Sequence, residues 1–291
     1  MDSVSCRSVF LCLLLISTFV SISHVKVCEA QAKPPIAKGL SWTFYHSTCP
    51  KLESIVRNEL KKVFKKDIAQ AAGLLRVHFH DCFVQSGGPE YDIPLGRRDG
   101  LTFATREVTL ANLPAPSSNT TTILNSLATK NLDPTDVVSL SGGHTIGISH
   151  CSSFSNRLFP TQDPVMDKTF GKNLRFTCPT NTTNNTTVLD IRSPNKFDNK
   201  YYIDLMNRQG LFTSDQDLYT DKRTRGIVTS FAVNQSLFFE KFVIAMLKMG
   251  QLNVLTGNQG EIRANCSLRN KDKKTLLTSV MENVVEDLIE M

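Results

Sequence analysis

The sequence predicts an all-α protein, and three observations carry that expectation. Apolar residues recur at helical spacing, most plainly in the stripe Leu52, Ile55, Val56, Leu60, Val63 and Phe64. The tetrapeptide Asp133-Pro134-Thr135-Asp136 is a helix start, with a capping side chain, proline at the first helical position and an acid in the first turn. Between periodic segments stand breakers such as Gln85-Ser86-Gly87-Gly88-Pro89 and Ser141-Gly142-Gly143.

Composition sets the bounds. The chain has 291 residues, 41% apolar and 21% charged, enough for one large domain or two smaller ones with an ample core. Its net charge of +6 comes without a dense Lys/Arg run, which argues against nucleic acid and fits weak adherence to acidic polymers. Residues 1–30 read as a secretory signal: Arg7 precedes a short apolar run, and Cys28-Glu29-Ala30 is a small-residue cleavage site. The run is too short for a membrane span, and nothing later is long enough. Six Asn-x-Ser/Thr tripeptides follow, at Asn119, Asn181, Asn184, Asn185, Asn234 and Asn265, as suits a glycosylated secreted protein. Beyond the signal remain Cys49, Cys82, Cys151, Cys178 and Cys266, an odd number in a compartment that permits disulfides.

The elements follow in order. After a proline-containing lead-in, Thr48-Cys49-Pro50 opens an amphipathic helix running into Lys66. Residues 73–83, GLLRVHFHDCF, read as a buried helix on which Arg76 and His80, four apart, share one face. A cation beside a proton acceptor on an apolar face is chemically pointed, although a core helix with carbonyl-bonded His78 and His80 is the plain alternative. Residues 94–100 and Leu113-Pro114-Ala115-Pro116-Ser117-Ser118 read as non-helical chain. A helix over 121–130 closes at Asn131, and the next carries Val137, Val138 and Leu140 inward until Ser141-Gly142-Gly143. His144 follows at once, where two glycines allow close backbone approach, although a helix-terminal histidine favoured by the dipole is again the plain alternative. Residues 181–187 read as a polar loop. In 190–202, two carboxylates and a serine surround a proline turn and suggest oxygen ligation of a hard cation, although capping aspartates are commoner. Helices are expected over 201–209 and, as one long buried element, over 227–249, with Thr213-Ser214-Asp215-Gln216-Asp217 between them. From residue 267 the chain turns polar, then amphipathic through Leu277, Met281, Val284 and Leu288, like an appendage.

His80, His144 and Asp215, together with Arg76, suggest a haem site, in which one imidazole ligates iron, a carboxylate holds its other nitrogen, and an Arg/His pair lies opposite. The motifs RVHFHDCF (76–83), LPAP (113–116), SGGHTIG (141–147), FDNKYY (197–202) and SDQ (214–216) closely resemble, in order, those of the secreted plant haem peroxidases of class III. The resemblance covers the chain from about Trp42 to Cys266. It implies an all-α fold with haem b between distal and proximal helical halves. It also implies a monomer that reduces hydrogen peroxide while oxidising phenolic donors by one-electron steps. His144 would be the axial iron ligand and Asp215 its hydrogen-bonded carboxylate. His80 would be the distal base, Arg76 would stabilise charge as the O–O bond breaks, and Phe79 would crowd the iron. Pro114 would help form the donor site at the haem edge. Thr145, Asp190, Ser193 and Asp198, with a carbonyl near Lys196, match the proximal calcium site, and Asp81 and Val84 match part of a distal one. Cys151 and Cys178 match a paired disulfide.

The chain departs from the pattern at one join. Members of the family have several dozen more residues between Val84-Gln85 and Ser86-Gly87, carrying two helices of the distal half, the other distal-calcium ligands and the partners of Cys49, Cys82 and Cys266. The expected organisation is therefore a signal (1–30), a peroxidase domain (31–268) lacking that segment, and a C-terminal extension (269–291) of the kind that can direct members to the vacuole rather than the apoplast. Two readings follow: a secreted, peroxide-reducing enzyme, or a truncated, catalytically impaired or non-folding product that keeps only the calcium and haem-ligand half.

Overall fold

The computed structural model describes residues 35–67, 70, 88–89, 91–102, 104–265 and 268–271. From Ile36 onward these belong to one unit, Ile36–Met291. Among them are nine α-helices: α1 (Leu52–Lys66), α2 (Arg106–Asn112), α3 (Thr120–Ala128), α4 (Pro134–Ser141), α5 (Lys168–Thr177), α6 (Lys200–Met206), α7 (Thr213–Thr220), α8 (Lys222–Val233) and α9 (Gln235–Met249). One two-stranded antiparallel sheet accompanies them, β1 (Ile148–His150) against β2 (Thr186–Val188), with Ser149 opposite Thr187. No described helix is long and apolar enough to cross a membrane.

Local chemistry accounts for the helix starts. Asp133 and Asp136 form a capping box on α4: each carboxylate accepts the other residue's backbone N–H at 2.9 Å, with Pro134 just inside. Asn119, Asp167 and Asn234 cap α3, α5 and α9 through their side-chain oxygens.

The main core gathers α4, α6, α7, α8 and α9. Val137 and Val138 pack with Tyr201, Tyr202, Leu205, Leu218, Phe231, Phe238 and Phe242. Aromatic geometry orders it: Phe197 stacks on Phe238 at 5.6 Å between centroids, while Tyr202 meets Phe238 and Phe231 edge-on at 5.0 and 5.3 Å. A second cluster is built from Phe154, Leu158, Met166, Phe170, Leu174, Leu211 and Phe212 around the Cys151–Cys178 disulfide.

Several expectations are corrected. The single helix over 227–249 is two helices, α8 and α9. Asn234, at φ −139° and ψ 91°, leaves helical geometry and caps the second by accepting from the N–H of Leu237. Residues 213–217, to which the sequence assigns no element between two expected helices, open the short α7, which lacks the long apolar stripe that would announce it. The polar loop ends in a strand, Thr186–Val188. Helix α1 spans the expected segment, but begins at Leu52 and buries only Phe64 of its stripe, leaving Ile55 and Val63 exposed. The helices expected over 73–83 and in the tail lie outside the described residues.

Candidate active site

His144 stands in a 3-10 turn, Gly142–Thr145, that continues directly from α4. The turn needs its first glycine for space: a Cβ on Gly142 would collide with the Tyr202 hydroxyl and come within 2.6 Å of the Phe238 ring. Gly142 itself has φ −61°, so close approach and not backbone handedness demands the residue.

Asp215, the third residue of α7, meets the imidazole from a different part of the chain, with 2.7 Å between His144 Nδ1 and Asp215 Oδ1. The same oxygen accepts the Tyr201 hydroxyl at 2.9 Å, and Oδ2 accepts the Phe212 backbone N–H at 2.9 Å. The carboxylate is buried, yet its charge is compensated by three donors and the N-terminal end of a helix. With Nδ1–H donated to a carboxylate, the lone pair of a neutral imidazole resides on Nε2, the nitrogen such a ring offers to a metal. The ring is held edge-on to Tyr201 of the main core and to Phe212 of the second cluster, at 6.1 and 5.4 Å, while keeping 38% of its side-chain surface exposed.

The strap leading into α7 is itself anchored. The buried Arg157 guanidinium donates to the carbonyls of Gly210, Leu211 and Phe212, and to Asp163 Oδ2 at 2.9 Å. The Leu113–Ser118 stretch is tied beside it, because the Pro116 carbonyl accepts the N–H of Ser214 at 3.0 Å. Half-buried Pro114 therefore lies on a segment attached next to Asp215.

A second constellation begins one residue after His144. Thr145 Oγ1 donates to Asp190 Oδ2 at 2.9 Å, Asp190 Oδ1 accepts the Ser193 N–H at 3.0 Å, and Ser193 Oγ donates to Asp198 Oδ1 at 2.9 Å. All four expected cation ligands thus form one chain of contacts. Asp190 and Asp198 are buried, and Asp198 Oδ2 has no hydrogen-bond partner among the described residues, the nearest cation being Lys200 Nζ at 3.6 Å. An orphaned buried carboxylate oxygen beside two hydroxyls that could turn their lone pairs inward fits a hard, oxygen-seeking cation. Among the described residues no three His, Cys, Asp or Glu side chains form a metal-holding group, so hydroxyls and carbonyls would have to complete the shell. Next to this chain, Asp204 is pushed up to about 7 by burial and by the charge of Asp190. Arg192 Nε lies only 2.6 Å from Asp204 Oδ1, but that guanidinium is over a third exposed, and its solvated charge offsets the burial incompletely.

Arg76, Phe79, His80, Asp81 and Val84 lie outside the described residues, as do Cys82 and Cys266. The 5.7 Å Cα separation of Cys151 and Cys178 suits their bridge, while Cys49 is free. Tyr201, Arg157 and Asp204 were not singled out from the sequence. Only Tyr201, within the quoted FDNKYY motif, stood where a signal could have been sought.

Comparison with known proteins identifies the family of the chain. A family model described as peroxidase matches residues 84–234. The chain is 48% identical to Peroxidase 12 of Arabidopsis thaliana, covering 96% of each protein, and 43% identical to Cationic peroxidase SPC4 of Sorghum bicolor, covering 88% of this chain and 90% of that one. Peroxidase 5 of Vitis vinifera is 36% identical over 78% of this chain and 90% of its own length. The alignment with Peroxidase 12 runs over 348 positions, more than the 291 residues of this chain, so that relative has residues without a counterpart here. On the extent of these matches, the chain that pairs His144 with Asp215 belongs to the peroxidase family.

Proposed function

We propose that this chain is a haem-dependent peroxidase that reduces hydrogen peroxide and oxidises small phenolic donors. The observation that carries the reading is the 2.7 Å contact between His144 Nδ1 and the buried Asp215 carboxylate. His144 would hold the iron of haem b through Nε2, and haem bound there would supply the redox chemistry linking donor to peroxide. Asp215 fixes the ring's tautomer and orientation and increases its basicity. His80 would take the proton from one peroxide oxygen and deliver it to the other, and Arg76 would stabilise the charge that develops as the O–O bond breaks. Phe79 would restrict access, and Pro114 would help shape the donor site.

Thr145, Asp190, Ser193 and Asp198 would bind calcium. Because Thr145 adjoins His144, a cation there would brace the turn that carries the ligand. The motif order places a missing segment between Gln85 and Ser86, and the alignment with Peroxidase 12 shows that this relative has residues without a counterpart in this chain, at positions the alignment length alone does not give. Asp81 and Val84 would then be too few for a tight distal calcium site. The organisation proposed is a signal over 1–30, a peroxidase domain over 31–268 and an extension from 269, with a monomer secreted to the apoplast and the extension as a route to the vacuole.

The test is expression of the full chain in a secretory host supplied with haem and calcium. A haem absorption band and peroxide-dependent oxidation of a phenol are expected, both abolished by His144→Ala. A folded, soluble chain that takes up no haem would overturn the reading and leave the truncated, non-catalytic product in its place.

A further inference from the structure

We propose that Tyr201 is a positioning residue for His144, its phenol sharing with the imidazole the one carboxylate oxygen, Asp215 Oδ1, that orients the ring. This deepens the reading of His144 as iron ligand and in part rests on it. Oδ1 accepts from His144 Nδ1 at 2.7 Å and from the Tyr201 hydroxyl at 2.9 Å. Two donors on one oxygen compete for its charge, so the phenol limits how strongly Asp215 draws the Nδ1 proton and hence how electron-rich the imidazole becomes.

The arrangement is rigid. Tyr201 is buried on α6, edge-on to the Tyr202 ring at 5.1 Å and to the His144 ring at 6.1 Å. It also stays a donor, because burial first and the Asp215 charge second raise the phenol far above its ordinary range. The neighbouring Tyr202 supplies a control: equally buried, it donates to the Val138 carbonyl at 2.9 Å and makes no hydrogen bond to Asp215.

Tyr201→Phe and Tyr202→Phe in the full chain separate the two roles. In haem-free protein, the His144 Nδ1–H resonance in a proton–nitrogen correlation spectrum is expected to move downfield in Tyr201→Phe and stay in place in Tyr202→Phe. In haem-loaded protein, the ferric/ferrous midpoint potential is expected to become more negative in Tyr201→Phe alone, since a more electron-rich imidazole favours ferric iron. Both substitutions remove one buried hydroxyl, so similar losses of stability do not distinguish them. Should Tyr201→Phe fail to fold, 3-fluorotyrosine incorporation replaces it: a more acidic phenol must shift the same resonance upfield, and do so no longer in a Tyr202→Phe background only if Tyr202 were responsible. A resonance that stays in place when Tyr201 is altered overturns the proposal. A chain that binds no haem overturns the peroxidase reading instead, and the haem-free spectrum still decides this one.

Discussion

Asp215 illustrates how much can depend on two oxygen atoms. Replacing it with alanine removes the acceptor of His144 Nδ1–H, of the Tyr201 hydroxyl and of the Phe212 N–H. Two of those donors are buried, and each unsatisfied one costs roughly 1–3 kcal/mol. Asp215→Ala is therefore expected to lose about 3 kcal/mol or more in urea unfolding, and Asp215→Asn distinctly less, because its amide oxygen still accepts. Asp204 predicts a pH dependence. Its carboxyl is raised from 3.8 to about 7 in the folded chain. Without calcium, the folded state thus holds a proton that the unfolded chain has released across that window. Its contribution to stability is complete below pH ~4 and is lost as pH rises toward 7, a swing of at most about 4 kcal/mol. Unfolding of chelated protein at pH 4.5 and 7.5 checks this: the decline should be shallower in Asp204→Asn than in the native chain.

At the scale of elements, caps and close approaches decide boundaries. Asn234 ends α8 and starts α9, and Asn234→Ala is expected to cost about 1 kcal/mol through loss of the bond from the Leu237 N–H. Gly142→Ala is a harsher change, since the new methyl collides with Tyr202 and Phe238 at the root of the His144 turn. It should cost about 1–3 kcal/mol in thermal or chemical unfolding and weaken haem uptake, whereas Gly226→Ala, on α8 with open space around it, should not destabilise. Strong local signals were legible in the sequence: the Asp133–Asp136 box, the break before His144 and the stripe of α1. Helix α2 was not, because none of its residues is buried and no core-facing stripe exists to be read. The division at Asn234 was hidden by apolar residues that continue through both helices, since periodicity reports burial and not backbone continuity.

The whole molecule is held by long-range ties as well as by its helical core. Cys151 and Cys178 are 27 residues apart, and the chain-entropy model assigns such a bridge about 3.5 kcal/mol, so Cys151→Ala should lower stability by an amount of that order in reducing-agent-free unfolding. Calcium is expected to add about 2.7 kcal/mol at a hundredfold excess over its dissociation constant, read as a rise in thermal midpoint that Asp198→Ala removes. Taken by itself, the sequence determined the helix starts, the breakers, the reactive side chains and, through motif order, the family, because these are properties of short windows of chain. Only the tertiary structure decided that Tyr201 shares the Asp215 oxygen, that Arg157 clamps the carbonyls of 210–212, and that Asp190 perturbs Asp204. These relations join residues on separate elements whose approach is set by side-chain packing, and spacing along the chain does not encode them. His144 and Asp215, the pair on which the proposed chemistry depends, are 71 residues apart in sequence and 2.7 Å apart in the fold.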